Sequence, residues 1–240
     1  MTENADPRKV AVITGGSQGI GAGLVEAYRQ RGWAVVASAR TFKPAQDPDI
    51  VTVEGDIAEP GTAARVIGAA VDRFGHVDTL VNNAGVYMSK PFTDYTEADY
   101  ALITGVNLAG FLWLTQRAIT EMLRQGHGHV VNISATIAER PDSGTPAVLT
   151  AVTKAGLAAG ARSLAIEYAS RGIRVNAVAP GIIKTPMHPA ASYAMPADKL
   201  PPLGRLGQVS DVVDAIMFLE SASYITGEVV HVDGGQIAGR

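Results

Sequence analysis

Two stretches of this chain place chemistry-bearing residues where ordinary packing has no use for them. The segment LTAVTKAG, Leu149 to Gly156, sets one lysine, Lys154, among small and apolar residues with the spacing of a packed helix face. An interior ammonium needs an anionic or strongly accepting partner, or it gives up its proton; the alternative is a lysine whose stem lies on apolar surface while its head reaches water. The segment TGGSQGIG, Thr14 to Gly21, directly follows the apolar run VAVIT (10–14) and opens a helical stretch. Its glycines let the backbone turn sharply and approach a ligand, while a helix N-terminus offers unpaired N–H groups to phosphate. One stretch points to proton or cation chemistry, the other to a bound anion.

Elements able to position such groups alternate along the chain. Short β-branched runs lie at 10–14, 34–38, 50–54, 79–83, 129–134, 173–180 and 228–234. Several are apolar at consecutive positions, as strands covered on both faces must be. Between them, 19–32 and 61–75 read as crossover helices ending in glycine. Thr96 and Asp99 form a capping-box start for a continuous helix through Gln125, and the segment around Lys154 forms another, from 148 to 172. The pattern predicts one α/β domain over 1–240: a Rossmann-type, doubly wound, seven-stranded parallel sheet with helices on both faces. Residues 1–8 read as a flexible N-terminus. The proline-rich stretch 182–208 reads as a long loop suited to a substrate lid.

Composition narrows the function. A formal net charge of −3 and the absence of a basic run argue against a nucleic-acid surface. With no cysteine and five histidines in no ligand pattern, neither a disulfide framework nor a metal site is expected. The start MTENADPRK lacks a signal-peptide core, and no apolar stretch is long enough to cross a bilayer, so a cytoplasmic protein is expected.

In its ordered motifs the chain resembles the short-chain dehydrogenase/reductase family over nearly its whole length. The residues that carry the resemblance are TGGSQGIG (14–21), Asp56 in EGDIAE, NNAG (82–85), Asn107 in GVNLAG, Pro180 and Gly181 in VNAVAPGIIKTPM, and the C-terminal ITGEVVHVDGG. The resemblance implies a nicotinamide dinucleotide cofactor. It implies that Gly15, Ser17, Gly19 and Ile20 line the pyrophosphate and ribose, Asp56 and Ile57 the adenine, and Asn83, Ala84 and Gly85 the adenosine ribose region. Gln18, Pro180, Gly181 and Ile183 complete the set, and Lys154 holds the nicotinamide ribose hydroxyls. At the end of the second strand a carboxylate accepts from a free ribose 2′-OH, whereas an arginine pairs with a 2′-phosphate. This chain has Ala39 then Arg40 there, without a carboxylate, which favours NADP (NADPH) over NAD.

The family's catalytic motif is Tyr-x-x-x-Lys, with a serine just after the fifth strand. Here the matching segment is TAVTK, so Lys154 is present and position 150 is threonine; after the strand stand Ser134, Ala135 and Thr136. The candidate catalytic set is therefore Asn107, Ser134, Thr150 and Lys154, with Ser134 or Thr136 in the serine's place. A phenol ionises at about 10 and an aliphatic hydroxyl, like bulk water, far above that, so the hydroxyl is much the weaker acid. Thr150 is no direct substitute for the phenol, although a water could relay a proton to it, and Tyr87, His188 and Tyr193 are further donor candidates. The expected activity is an NADP(H)-dependent oxidoreductase acting on a small carbonyl, alcohol or imine, with atypical or impaired proton-donor chemistry. The alternatives are a non-catalytic NADP-binding subunit or sensor, or an inactivated reductase. Relatives use helices like KAGLAAGARSLA to form dimers and tetramers, so a homo-oligomer is expected.

Overall fold

A computed structural model describes residues 8–42, 46–187, 193–196 and 199–239. Seven strands, β1 (Val10–Thr14), β2 (Ala34–Ala39), β3 (Ile50–Glu54), β4 (Thr79–Asn82), β5 (Gly128–Ile133), β6 (Ile173–Pro180) and β7 (Val229–Val232), form one parallel sheet in the order β3-β2-β1-β4-β5-β6-β7. The direction of winding reverses between β1 and β4. Crossovers leave those two strands toward opposite sides there and open a crevice at their carboxyl ends.

The helices cover both faces, which is why the central strands carry apolar residues at consecutive positions. Helices α1 (Gly19–Gln30) and α6 (Val209–Ser221) bury Leu24, Tyr28, Val212, Ile216 and Leu219 against one face. On the other face α2 (Pro60–Phe74), α4 (Gly110–Gln125) and α5 (Val148–Tyr168) bury Val66, Leu114, Met122, Ala161 and Ala165. The close approach allowed by the small residues of α5 is used within the chain: a Cβ on Gly156 would lie 3.2 Å from Leu108, and one on Gly160 would lie 3.3 Å from Phe111.

The helix expected from Thr96 to Gln125 is not continuous. Its predicted capping box is present, with Thr96 and Asp99 each satisfying the other's backbone N–H, and it opens α3 (Glu97–Thr104). Residues Gly105–Ala109 then form a π-helical turn before α4 begins. Such a turn takes in an extra residue, and apolar periodicity did not show it because both flanking helices keep their own register. Among the described residues no helix is long and apolar enough to cross a membrane.

The amino-terminal ends of β4, β5 and β6 hold a buried polar knot. The Glu220 carboxylate of α6 accepts from Tyr28 Oη (2.9 Å), from Thr79 Oγ1 at both oxygens (3.1 Å), and from His129 Nδ1 (2.8 Å). On the far side of the imidazole, Nε2 accepts from Asn176 Nδ2 (3.1 Å). Arg174 donates to the carbonyls of Leu219, Ala222 and Ile225, closing the C-terminus of α6. Burial pushes the Glu220 carboxyl upward, but the hydrogen bonds donated by His129, Tyr28 and Thr79 outweigh it and hold the group below its ordinary range. Burial lowers His129 further than Glu220 raises it, so the knot contains a carboxylate and a neutral imidazole.

Candidate active site

The crevice begins where β1 ends. Thr14 Oγ1 accepts from the backbone N–H groups of Asn83 (2.9 Å) and Ala84 (2.8 Å), and the Asn83 amide donates to the carbonyls of Thr14 (2.8 Å) and Gly15 (3.3 Å). These bonds lock the glycine turn onto the NNAG segment. The turn itself requires glycine: Gly15 has φ +65°, Gly19 has φ +55°, and a Cβ on Gly21 would lie 2.1 Å from the Gly15 carbonyl oxygen. Helix α1 starts without a side-chain cap and without an acidic residue in its first turn. Its leading N–H groups, with the positive end of the helix dipole, form a cradle for an anion. Ser17 and Gln18 are exposed beside it, and Gly19 and Ile20 are half-buried.

At the β2 end, Ala39 is half-buried and Arg40 is exposed. The neighbouring strand brings a carboxylate that reading β2 alone did not reveal: Glu54 pairs in register with Ala39, and its Oε1 accepts from the Phe42 backbone N–H at 2.8 Å. Asp56 is exposed and turns its own loop by accepting from Ala58 N (2.9 Å), whereas Ile57 is buried against Gly110. Ile57, Ala84 and Asn107 share one recess with Thr14, so those predicted positions converge, while Arg40 and Asp56 are exposed and do not line it.

The π turn presents Asn107 to the loop after β4. Its Oδ1 accepts from Val86 N (2.9 Å), and its Nδ2 donates to Val86 O (3.1 Å) and Thr153 Oγ1 (3.0 Å). Thr153 was not singled out by sequence reasoning; its position one residue before the lysine was the available signal. Lys154 is buried, and its Nζ donates to the Ile133 carbonyl at the end of β5, 2.7 Å away. A Cβ on Gly85 would lie 3.0 Å from that Nζ and 3.4 Å from Asn107 Oδ1, so this glycine leaves room for both side chains. Burial alone lowers the ammonium's pKa to about 8.

The hydroxyls near the lysine are engaged elsewhere. Thr150, 2% exposed, accepts from Met88 N (3.1 Å) and donates to Met88 O (3.2 Å), and Tyr95 Oη donates to the same carbonyl (3.2 Å). Ser134 Oγ donates to the Lys154 carbonyl (2.8 Å), and Thr136 Oγ1 donates to Pro180 O (3.3 Å). Tyr193 Oη is tied to the Thr185 backbone, accepting from its N–H at 2.9 Å and donating to its carbonyl. Burial pushes the half-buried Tyr87 phenol above its ordinary value, which makes it a weaker acid. His188, the remaining donor candidate, lies outside the described residues.

Across the crevice, Pro180 ends β6 and Gly181 N donates to Val232 O (3.0 Å). Ile183 is buried and pairs with Gly207, so the ends of the 182–208 segment meet. A buried acceptor at this rim escaped sequence reasoning: Gln236 Oε1 lies 3.0 Å from where a Cβ on Gly181 would stand and has no hydrogen-bond partner among the described residues.

Residues 15–236 match the family model described as Enoyl-(Acyl carrier protein) reductase. The chain is 35% identical over 237 residues to the 3-oxoacyl-(acyl-carrier-protein) reductase FabG of Escherichia coli (strain K12), covering 95% of this chain and 96% of that one. Among solved structures, ElxO with NADP bound superposes with a TM-score of 0.88 at 29% identity, covering 97% of this chain and 100% of that one. The 3-ketoacyl-(acyl-carrier-protein) reductase from Brucella melitensis complexed with NADH also gives 0.88, at 30% identity, covering 95% and 98%.

Proposed function

Because the chain belongs to the short-chain dehydrogenase/reductase family, we propose that it is an NADP(H)-dependent oxidoreductase that reduces a small carbonyl or imine, or runs the reverse alcohol oxidation, without a phenol at position 150. The observation that carries this reading is the uncapped α1 N-terminus behind a turn that only glycine can form. That cradle suits a pyrophosphate, with Gly15, Ser17, Gln18, Gly19 and Ile20 around it. When bound, the dinucleotide supplies the hydride.

The chain's own residues bind, orient and handle the proton. Asn83, Ala84 and Gly85 form the wall opposite the glycine turn, Asp56 and Ile57 flank the adenine end, and Pro180, Gly181 and Ile183 the nicotinamide end. Arg40, exposed and without an ion-pair partner among the described residues, favours a 2′-phosphate, while the neighbouring Glu54 is occupied by Phe42 N–H. Asn107 holds the loop wall through Val86, and Lys154, whose Nζ also donates to Ile133 O, has the role in this reading of donating to the ribose hydroxyls. The 182–208 segment, closed at its ends by the Ile183–Gly207 bridge, serves as the cover of the substrate side. Exposed Leu112, Val152 and Ile166 on α4 and α5 support self-association, which light scattering at micromolar concentration tests.

The test is calorimetric titration with NADPH and NADH, followed by NADPH oxidation with a short 3-ketoacyl thioester, a cyclic ketone and a cyclic imine. The expected result is tighter NADPH binding and turnover of at least one acceptor. Tight binding with no oxidation would leave a nucleotide-binding subunit, and absence of binding would remove the reading altogether.

A further inference from the structure

Carbonyl reduction leaves negative charge on oxygen, so some group must deliver a proton as hydride arrives. The side-chain hydroxyls closest in sequence to that task are held in bonds that fix the backbone. Thr150 uses its hydroxyl both as donor and as acceptor on the Met88 peptide, Ser134 donates to the Lys154 carbonyl, and Thr136 donates to Pro180 O. The buried ionisable group left at this point is the Lys154 amine. Its three N–H donors meet one described protein acceptor, Ile133 O, and the rest of the head group lies beside Gly85 and Asn107 Oδ1, at the end of β4.

We propose that Lys154 itself is the acid of this site, giving a proton from its ammonium to the carbonyl oxygen in place of a hydroxyl at 134, 136 or 150. This rests on the reading of the crevice as a dinucleotide site. In the balanced step, hydride from the reduced nicotinamide forms the new C–H bond and the carbonyl π pair moves to oxygen. An N–H bond of Lys154 breaks as the O–H bond forms. The products are the alcohol, the oxidised dinucleotide and a neutral amine, which regains its proton from water.

The surroundings suit an ammonium that gives up its proton. The groups recorded around the head come from the loop after β4 (Gly85), the π turn (Asn107) and the β5 end (Ile133 O). None of these is charged, and burial is the one influence on its titration, with no carboxylate holding the proton in place. Its value of about 8 lies below that of a free phenol, so the ammonium is the stronger acid. Engaging Thr150 with Met88 is then a positioning device, keeping the loop after β4 closed over the amine.

The experiment compares the full-length protein with Lys154→Arg, which stays cationic far above the working range. NADPH affinity is measured by calorimetry, and reduction of a ketone and of a preformed cyclic iminium, which needs no proton on the reacting atom, is followed from pH 6 to 10. The Lys154 amine is titrated separately by ¹³C NMR of lysine-labelled protein without cofactor, the resonance being assigned by its loss in the variant. The expected outcome is a midpoint near 8 by NMR and ketone reduction falling tenfold per pH unit above that point. Lys154→Arg should lose ketone reduction by about 10² or more beyond whatever it loses in iminium reduction, which, with the NADPH affinity, accounts for the ribose contact. Ketone reduction by Lys154→Arg at the parent rate, or an amine titrating near the ordinary lysine value, overturns the proposal while leaving the dinucleotide reading intact. Failure of the parent to bind NADPH overturns that reading instead.

Discussion

At the amino-terminal ends of β4, β5 and β6, the buried Glu220 carboxylate is met by Tyr28, Thr79 and His129, whereas at the carboxyl end of β5 the buried Lys154 ammonium meets one carbonyl and no opposite charge. Both groups lie against the same sheet, and burial penalises both. The partners of Glu220 overcome that penalty and hold it ionised; nothing offsets it for Lys154, whose proton is correspondingly loose. The contrast separates a polar cluster that maintains the fold from one whose electrostatics are left incomplete for a ligand to complete.

The sharpest way to break the contrast is to remove Glu220. Glu220→Ala leaves the Tyr28, Thr79 and His129 donors buried without their acceptor, and a loss of about 3–5 kcal/mol in denaturant unfolding is expected. Acid should act in the same direction. His129 is held neutral and Glu220 ionised in the fold, so the unfolded chain takes up protons first and stability declines as pH falls through the ordinary imidazole value of about 6.5 and then through the carboxylate range.

Lys154 should respond with the opposite sign. Its folded pKa lies below its unfolded one, so the penalty is fully present below about 8 and is relieved as pH rises to about 10.5, a span of about 3 kcal/mol. Lys154→Met should therefore raise the thermal midpoint of the cofactor-free protein at pH 7, with the gain shrinking by pH 10; a lower midpoint at pH 7 would show that the ammonium has a stabilising partner. Thr150→Val keeps the shape but leaves the Met88 N–H without its acceptor. A loss of about 1–3 kcal/mol and faster hydrogen exchange at Met88 are expected, with Thr150→Ser close to the parent. The smallest effect belongs to exposed Arg40. Arg40→Ala should weaken NADPH binding by about tenfold, or about 1.4 kcal/mol, and leave NADH nearly unchanged, as read by calorimetry.

Much of this architecture was legible because burial on both faces imposes a visible pattern. The seven apolar runs matched the seven strands within a residue or two at their ends, and TGGSQGIG lay where β1 enters α1. Helix α6, with its Gln208–Asp211 capping box, was passed over beside the proline-rich stretch. The parts that stayed hidden depend on contacts distant in sequence. Glu54 reaches the β2 end only through strand register. The roles of Ser134 and Thr150 depend on which backbone groups face them, and the glycines of α5 are filled by Leu108 and Phe111 of the same chain. Residue type could suggest that a hydroxyl was present, but not that its hydrogen bonds were already made.

The widened turn at Gly105–Ala109 gives this helical segment an adjustable phase. Each α-helical residue advances the side-chain direction by about 100°, so one residue more or less here rotates everything on one side relative to the other. Shortening the turn by a single residue would force a choice between Asn107 facing Val86 and the apolar stripe of α4 facing the sheet. The bulge lets the chain satisfy both, and makes it a place where a one-residue length change could retune the pocket while the surrounding scaffold stays in register.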